Sequence, residues 1–398
     1  MPASRSRHLC SVAAALVLTV AAPATAASAA TTAASGASGL RQVLFVGNNW
    51  DGTADVIASS GDFARVGRIN VVPDKEQRMA EINADPIKWV YFQAIRNSVG
   101  EGHDQFADDM YSTPDGRSVV VSRPSFADVV SIDLATGRID WRFPVAGYRA
   151  DHMAVSPDGT RVAVSASTAN TVHVLDITTG RQLGSFATGD KPHENVFTRD
   201  GRYIWNMSIG DVNTSLDSPG WDWTKGDRRI TVVDATTYKQ VKVIDMRQRL
   251  DAYGLKDFSD AVRPAVFSPD ESKLYFQVSF FNGFLEYDVA ADKITRMKTL
   301  PKNPATSEDR TTWVNDSRHH GISMNPEGTK LCVAGTMDDY ATVSGDGKDC
   351  VVSESGADQV TAIDFATGRK VASVPVGDHP QRVRLGHVQA DWTGPSGS

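Results

Sequence analysis

Short runs in which apolar and polar residues alternate follow one another along most of the chain. In one segment, the runs Val162-Ala-Val-Ser and Val172-His-Val-Leu lie between Pro157-Asp-Gly on one side and Thr179-Gly-Arg on the other. A period of two is typical of half-buried strands, and clusters of Gly, Pro and Asp mark the turns between them. The pattern therefore predicts an all-β chain of short strands joined mostly by tight turns.

The same segment recurs along the chain. Residues 156–181 align without a gap on residues 344–369. Related units begin near Thr113, Arg199, Ser268 and Asn325, and an N-terminal one at 43–67 lacks its first strand. Four short strands per unit, repeated in this way, predict a β-propeller. The segment Gln381–Leu385 can supply the missing strand, so N- and C-terminal strands would close the ring in one blade.

The number of blades is the open point of this architecture. Seven units are counted, but only 19 positions separate Glu327 from Asp346, so the sixth unit lacks room for its last two strands. We expect a seven-blade plan with one truncated blade, with six blades as the alternative. The propeller would cover residues 40–387, followed by a C-terminal tail at 388–398.

The repeat units resemble a known family. The turn Ser156-Pro-Asp-Gly, the strand Val172-His-Val-Leu-Asp with the following Thr178-Thr-Gly-Arg, and Val376-Gly-Asp-His-Pro are similar to the YVTN-repeat propellers of the YncE-like group. The resemblance implies the propeller fold and leaves function open, because these motifs are turn and core residues. Similar propellers serve as amine dehydrogenase heavy chains, as the copper domain of nitrous oxide reductase, as lactonases and as binding scaffolds.

The N-terminus has the layout of a cleaved export signal. Arg5 and Arg7 precede an apolar stretch at 12–22, and Ala24-Thr-Ala follows it. We therefore expect a signal peptide at 1–26, a flexible Ala/Ser/Thr leader at 27–39 and a secreted, extracellular protein. The apolar stretch is shorter than the roughly 20 residues that a membrane span needs, and no other segment comes closer.

Composition narrows the partners. With 41% hydrophobic and 22% charged residues the chain is an ordinary globular protein, and its formal net charge is -7 without any long basic run. These features argue against nucleic acid as a partner. A small molecule, a peptide or a cell-envelope component remains, and we expect a monomer.

Cys332 and Cys350 are predicted to form a disulfide, since the chain is bound for an oxidising compartment. The alternative is two separate buried thiols.

Long insertions indicate which face of the disc carries the function. They occupy residues 71–102, 210–228, 246–262 and 301–318, and all fall in connections of one face, whereas the other face has tight turns. Pro86 and the helical spacing of Ile87, Val90, Tyr91 and Ala94 predict a short helix over the mouth of the channel or at the rim. Trp221 and Trp223 could stack on a ligand or hold their own loop in place.

A column of polar residues at the start of the innermost strands predicts a site on this face. Aligning the strands on their turns gives Asp108, Asp151, His193, Arg263, His320, Asp339 and Gln381, with Asp109, His152, Glu194 and Arg382 beside them. By alternation, Met110, Met153, Asn195, Ala265, Ile322, Ala341 and Val383 should follow as a mainly apolar throat. The column predicts a ligand-binding funnel, and a solvated channel rim is the alternative. Asp109, His152 and Glu194 could instead pack between blades with polar partners.

The funnel is compatible with several chemistries. His193, His320 and Asp108 could hold a divalent metal, although Arg263 would repel a cation and suits a carboxylate or phosphate. His193 or His320 could act as a base with Arg263 as electrostatic partner in a lactone or ester hydrolase or a lyase. Two histidines are too few for the nitrous oxide reductase cluster. Binding through the funnel is the first hypothesis, an enzyme the second, and a docking scaffold built on the insertions the third.

Overall fold

The computed structural model describes residues 18–19, 39–212, 219–301, 320–335 and 340–395. Within this part of the chain, seven sheets surround one axis, and six of them are antiparallel sheets of four strands. The strands are β1 (Leu18–Thr19), β2 (Leu40–Asn48), β3 (Thr53–Ala58), β4 (Arg65–Asn70), β5 (Met110–Ser112), β6 (Ser118–Arg123), β7 (Asp128–Asp133), β8 (Ile139–Pro144), β9 (Ala150–Val155), β10 (Arg161–Ala166), β11 (Thr171–Asp176), β12 (Gln182–Ala187), β13 (Pro192–Phe197), β14 (Tyr203–Ser208), β15 (Ile230–Asp234), β16 (Gln240–Ile244), β17 (Val262–Phe267), β18 (Lys273–Val278), β19 (Gly283–Asp288), β20 (Lys293–Thr299), β21 (Ile322–Met324), β22 (Lys330–Val333), β23 (Tyr340–Val343), β24 (Asp349–Glu354), β25 (Gln359–Asp364), β26 (Lys370–Pro375) and β27 (Pro380–Gln389).

These sheets make a β-propeller with six four-stranded blades, which agrees with the six-blade alternative. Blade 1 has the order β27-β2-β3-β4, and blades 2 to 5 are β5–β8, β9–β12, β13–β16 and β17–β20. Blade 6 is β23–β26. The unit that the sequence marks as truncated is the short sheet of β21 and β22, which lies between blades 5 and 6 and also pairs with β1.

Blade 1 closes the ring with strands from both ends of the chain, as predicted. Strand β27 pairs with β2 from Leu40–Gln389 to Asn48–Pro380. The strand therefore continues two residues past the propeller boundary expected at 387. Beyond it, Trp392 is buried and its Nε1 donates to the Leu134 carbonyl of blade 2 at 2.6 Å. The described part of the expected tail is thus packed on the propeller.

The predicted disulfide is present and ties the short sheet to blade 6. Cys332 of β22 and Cys350 of β24 are bonded, and both residues are buried. Their sequence separation is 18 residues, so the link closes the loop that joins the two sheets.

Hydrogen bonds explain why the repeat forms its turns. In the Ser156-Pro-Asp-Gly turn, the Arg161 N–H donates to the Ser156 hydroxyl at 3.0 Å, and the Thr160 N–H donates to the Asp158 carboxylate at 3.1 Å. Gly159 has a φ of 70°, where a glycine avoids the strain of a Cβ. Valine and isoleucine side chains from adjacent blades then pack against each other, as Val120 and Val129 of blade 2 do with Val162 and Val164 of blade 3.

Three helices lie in the connections of the described chain: α1 (Lys75–Ala84), α2 (Pro86–Asn97) and α3 (Met246–Tyr253). Three short 3-10 helices occupy Pro124–Phe126, Pro219–Thr224 and Ser355–Ala357. The Asp85 carboxylate caps α2 by accepting from the N–H groups of Ile87 and Lys88 at 3.0 and 3.2 Å. Within the described residues, none of these helices has the length and apolar character that a membrane span requires.

Helix α2 confirms the predicted element but not the predicted face. Phe92 and Ile95 are its buried residues, whereas Ile87 and Val90 are 58% and 57% exposed. The pair α1–α2 is anchored by Arg123 of β6, a buried residue whose guanidinium bonds Asp128 of its own blade at 2.8 Å and Asp74, which precedes α1, at 2.5 Å. This contact fixes the helical insertion beside blade 2.

Candidate functional site

The innermost strands begin with a β-bulge that presents two adjacent side chains near the axis. In blade 3, Met153 pairs with Val164 and Ala150 with Ala166, so Asp151 and His152 both oppose Ser165. The same irregularity places His193-Glu194 in blade 4 and Arg263-Pro264 in blade 5. In blade 2, Asp108 N–H donates to the Ser122 carbonyl, and Ser122 N–H donates to Asp109. Such bulges redirect side chains without ending the sheet.

In blades 3 to 5, the first members of these pairs, Asp151, His193 and Arg263, face the long-loop side. Four of the predicted residues, Asp151, His193, Arg263 and His320, line one pocket of about 280 Å³. Gln381 of blade 1 lines it as well, and His152 reaches it from the second position of its pair. Asp108 is fully buried below the pocket. Asp339 lies outside the described residues. The axis therefore brings together most of the predicted column.

The three residues considered for catalysis meet at one point. The Arg263 Nη1 is 2.9 Å from Nε2 of His320 and 3.5 Å from Nε2 of His193, and its Nε donates to the Ser279 hydroxyl at 2.8 Å. A guanidinium has no acceptor atom, so the imidazole nitrogens that face it must accept. Nε2 of His320 therefore accepts a hydrogen bond from the Arg263 guanidinium.

Below the pocket, the second members of the pairs form a charged plug across the axis. His152 Nδ1 is 2.9 Å from a Glu194 oxygen, and its Nε2 is 3.2 Å from Asp151 and 3.8 Å from Asp108. The Arg382 guanidinium contacts the same imidazole and lies 3.8 Å from Glu194. Glu194 and Arg382 thus belong to the plug, where buried charges have polar partners, and not to the pocket wall.

A second layer of the plug adds Arg384 and Tyr111, which the sequence did not single out, to the predicted Asp109. Arg384 forms two hydrogen bonds of 2.7 Å to Asp109, lies 4.4 Å from the Tyr340 ring centroid and lies 5.0 Å from that of Tyr111. The Arg384 Nη2 is also 4.0 Å from Glu194, across the axis. Because Arg384 follows Arg382 by two positions on one strand, the period of two could have assigned both side chains to the same face.

The predicted apolar throat is present only in part. Ala265, Ile322 and Ala341 line a second pocket on the tight-turn side, whereas three other members of the column do not reach the axis, and the bulge explains why. Met110, Met153 and Val383 are fully buried in the cores between blades, Met110 with Phe45 and Val383 with Leu44. Strict alternation from the first polar column assigned them to the channel, but the bulge adds one residue and reverses the faces. The second pocket has a volume of about 540 Å³ and opens onto Tyr111, Glu194, Tyr340 and Arg384.

Burial dominates the electrostatics of the plug. It raises the pKa of Asp108 to about 8, with the nearby Asp151 carboxylate adding to the effect, and Asp108 accepts no hydrogen bond from the described residues. Burial likewise raises the pKa of Glu194 to about 8, against the opposing effect of Arg384. The pKa of Asp151 is raised by burial, and that of Arg382 is lowered by burial. One region of low dielectric therefore holds four acids and four arginines, namely Asp108, Asp109, Asp151 and Glu194 with Arg149, Arg263, Arg382 and Arg384. At neutral pH, Asp108 and Glu194 retain their protons.

Helix α2 and the insertion after β14 complete the pocket. Tyr91, Ala94 and Ile95 of α2 line one wall, and Ile209 and Val212 of the insertion after β14 line another. Tyr91 stacks on Tyr148 at a centroid distance of 4.0 Å. The predicted position of the helix at the mouth is therefore confirmed.

A stack of three rings supports the opposite rim. The Trp50 indole lies between His103 and His379 with centroid distances of 3.8 and 3.9 Å, and His379 also lines the pocket. Two basic residues at the pocket, Arg149 and Lys191, were not singled out from the sequence. Arg149 Nη1 donates to Asp151, and Lys191 is 3.7 Å from Asp211.

The three residues predicted to hold a metal, His193, His320 and Asp108, are not the three whose donor atoms lie close together. Donor atoms of Asp151, His152 and His193 lie within 4.8 Å of one another, whereas His320 is separated from His193 by Arg263, with ring centroids 6.0 Å apart. Guanidinium groups approach each of these donors: Arg149 at Asp151, Arg382 at His152 and Arg263 at His193. Three fixed positive charges around the donors oppose the entry of a cation.

The tryptophans of the second insertion lie away from the pocket walls. Trp221 and Trp223 belong to the 3-10 helix Pro219–Thr224, their ring centroids are 6.2 Å apart, and they are 43% and 79% exposed. Neither residue lines the axial pocket. The hypothesis that they stack on a ligand of the funnel thus has no support from the geometry.

Comparison with known proteins supports the architecture. No protein-family model and no curated protein matches the sequence. Among solved structures, the chain is similar to hydrazine synthase of Kuenenia stuttgartiensis, with 15% identity, a TM-score of 0.53, and coverage of 72% of this chain and 96% of that chain. At this identity the similarity shows the fold alone. The chain is a β-propeller.

Proposed function

We propose that this protein is an exported, YncE-like β-propeller that binds a small molecule in the axial pocket on its long-loop face. The single observation that carries the proposal is the pocket of about 280 Å³, in which buried ionisable side chains from several blades meet an apolar wall from α2. Concave sites with a mostly apolar wall and a few convergent polar groups are the usual form of small-molecule sites. The N-terminal sequence pattern supports export, and the repeat motifs support the family.

The geometry favours binding over hydrolysis in this pocket. A general base needs an imidazole nitrogen that can accept a proton from substrate or water. Both nitrogens of His152 face carboxylates, and Nε2 of His320 and of His193 face the Arg263 guanidinium. The imidazoles of the predicted enzyme are thus engaged in holding the ring together, which is a role that suits recognition.

The test is to recover the molecule that the protein carries. The mature protein is purified from culture medium, denatured, and its released small molecules are measured by mass spectrometry against a blank. We expect one compound in amounts comparable to the protein, and a large loss of it in Ala94→Trp, because Ala94 lines the pocket and an indole would fill it. Ala84→Trp, the same change at an exposed residue of α1, is the control.

Two results would overturn the proposal: wild-type protein that carries and takes up no compound, or equal occupancy in Ala94→Trp and Ala84→Trp.

Docking through the insertions is the second candidate, and the observation that favours it is the exposed pair Trp221 and Trp223 on the same face as α2. Under that alternative, Trp223→Ala weakens the partner complex while the pocket keeps its compound.

A further inference from the structure

The tight-turn face of the disc has a pocket of its own, which we call the tight-turn pocket. Its volume is about 540 Å³, and the innermost strands of all six blades and of the short sheet line it. Among the residues that the structure describes, none lines both this pocket and the axial pocket. The volume lies within the usual range for small-molecule sites. The charged plug therefore separates two cavities, each large enough to be considered as a site.

The bulges give the tight-turn pocket two chemically different halves. The side chain two positions beyond the second member of a bulge pair lies on the same face of the strand as that member. In blades 3, 4 and 5 these side chains are Ala154, Val196 and Val266, whereas in blades 1 and 2 they are Arg384 and Tyr111. The pocket therefore has an apolar half on blades 3 to 5 and a polar half across the axis.

The charges of the polar half are matched within the protein. Arg384 donates to both carboxylate oxygens of Asp109 at 2.7 Å, and also to the hydroxyl of Tyr340. Glu194 lies 2.9 Å from Nδ1 of His152 and retains its proton at neutral pH, because burial raises its pKa. A charged ligand would lose its hydration here without meeting an unmatched opposite charge among the described residues of this half, which is costly.

The apolar half leaves hydrophobic surface open to the pocket. Val155, Val196 and Val266 are only half-buried, although they lie on the innermost strands of their blades. On blade 1, Leu385 extends this surface and is 38% exposed. Because removal of apolar surface from water is favourable, these side chains favour the binding of an apolar body.

One polar atom of the wall has no hydrogen-bond partner. The Oγ atom of Ser323, on the short sheet between blades 5 and 6, is buried and forms no hydrogen bond with any residue in the described part of the chain. A buried hydroxyl without a partner costs free energy, and a serine hydroxyl can both donate and accept. Ser323 lies where the apolar half meets the polar half, so an oxygen of a ligand would satisfy it without breaking an ion pair.

We propose that the tight-turn pocket is a second ligand site, for a neutral and mainly apolar molecule that carries a carbonyl or hydroxyl oxygen. The apolar body packs on Val155, Val196 and Val266, and the oxygen forms a hydrogen bond with Ser323. The absence of an unmatched charge in the described polar half disfavours charged molecules of the same shape. This site is separate from the axial pocket and does not depend on the function proposed for that pocket.

The test uses three naphthalene probes of nearly the same shape: 2-acetylnaphthalene, which is a neutral ketone, 2-ethylnaphthalene, which lacks the oxygen, and 2-naphthoate, which is charged. Equilibrium dialysis against the mature protein at neutral pH, after any carried compound has been removed, measures their dissociation constants. We expect the ketone to bind at least about tenfold more tightly than 2-naphthoate. In Ser323→Ala the ketone should bind about three- to tenfold more weakly, while the affinity for 2-ethylnaphthalene stays unchanged.

Blocking variants show which pocket holds the ketone. Leu385→Trp places an indole in the wall of the tight-turn pocket and should abolish binding. Its matched control is Val371→Trp, a change at an exposed apolar residue of the outer strand β26. Ala94→Trp, which fills the axial pocket, should leave ketone binding unchanged. Circular dichroism and thermal unfolding show whether each variant is folded.

Three results would overturn the inference: wild-type protein that does not bind the ketone, 2-naphthoate binding as tight as ketone binding, or ketone binding that is lost in Ala94→Trp and kept in Leu385→Trp. An unchanged ketone affinity in Ser323→Ala would overturn the assignment of the oxygen to Ser323. A failure of the function proposed for the axial pocket would appear separately, as wild-type protein that carries no compound.

Discussion

The acids of the repeat turns and the acids of the axial plug have opposite electrostatics. In the turns, the Ser156 hydroxyl and the Thr160 N–H donate to Asp158 and lower its pKa. In the plug, burial raises the pKa of Asp108 and of Glu194 to about 8. A turn aspartate stabilises the fold in its ionised form, whereas a plug carboxyl is costly when ionised and needs an arginine or a proton.

The difference separates residues that build the blade from residues that build the site. The turn acids recur from blade to blade because each turn needs the same hydrogen bonds. The acid of one turn therefore has the same role as the acid of the next. The plug residues differ from blade to blade, since two acids, Asp109 and Glu194, and the ring of Tyr340 each contact Arg384 in a different way. In such a shared network, the loss of one side chain weakens the contacts of the others.

The largest effect is expected from Arg384→Met. The change leaves the buried Asp109 without its two hydrogen bonds and removes the charge beside Glu194. Removing one partner of a buried pair typically destabilises by about 3–5 kcal/mol. Urea unfolding measures this loss. Arg117→Met, which removes an exposed arginine 4.0 Å from the exposed Asp115, should lower stability by less than about 1 kcal/mol. Similar losses in both variants would contradict the special position of the plug.

The pH dependence of stability should show the plug directly. Below about pH 7, stability also depends on His173 and His379, because burial lowers the pKa of both imidazoles in the folded state and makes stability rise with pH. Between about pH 7 and 8 the unfolded acids are ionised, while folded Asp108 and Glu194 retain their protons because burial raises their pKa to about 8. The folded state then binds more protons, so the free energy of unfolding falls as pH rises, by at most about 1.4 kcal/mol per pH unit for each proton.

Glu194→Gln isolates one of these protons. The amide stays neutral at every pH, so the slope of unfolding free energy against pH should be less negative than in wild type. Asp158→Asn is the matched control, because the pKa of this turn acid is lowered and it titrates only in acid. A wild-type stability that rises with pH over the window, or an unchanged slope in Glu194→Gln, would show that Glu194 is ionised in the folded protein.

A smaller loss is expected from a turn acid. Asp158→Ala removes the acceptor of the Thr160 N–H and of the Ser156 hydroxyl, and a hydrogen bond of this kind contributes about 1 kcal/mol. The midpoint of urea unfolding should fall accordingly, with the amount of small molecule carried in the pocket unchanged. If binding were lost as well, the separation between turn and site residues would be wrong.

The smallest effect is expected at the exposed tryptophan. Trp223 is 79% exposed and lies outside the pocket walls, so Trp223→Ala should change the free energy of unfolding by about 0.5 kcal/mol or less. The amount of small molecule recovered from this variant should be the same as from wild type. A smaller amount would connect the second insertion to the pocket.

Much of the fold could be predicted from the sequence because its signals are local. The aligned repeats at 156–181 and 344–369 carry their own turn chemistry, and each turn forms as the residues indicate. The closing strand was predictable because the N-terminal unit visibly lacks a partner for β2. The Cys332–Cys350 bond followed from there being two cysteines in the rest of the chain.

The candidate site was predictable only in part. The polar column placed Asp151, His193, Arg263 and His320 around one axis, but the bulge after which Met153 turns into the blade core has no local sequence signal. The contact of Arg384 with Asp109 joins blade 1 to blade 2 over 275 positions of sequence. Such long-range pairs depend on how the ring closes, which no single repeat encodes.

The most direct test of the pocket is a crystal structure of the protein together with the compound that it carries. We expect the compound within the axial pocket, beside Tyr91 and Ile95 of α2, with Asp151 still on Arg149. A compound bound elsewhere on the molecule, or an empty axial pocket in protein that carries a compound, would contradict the proposed site.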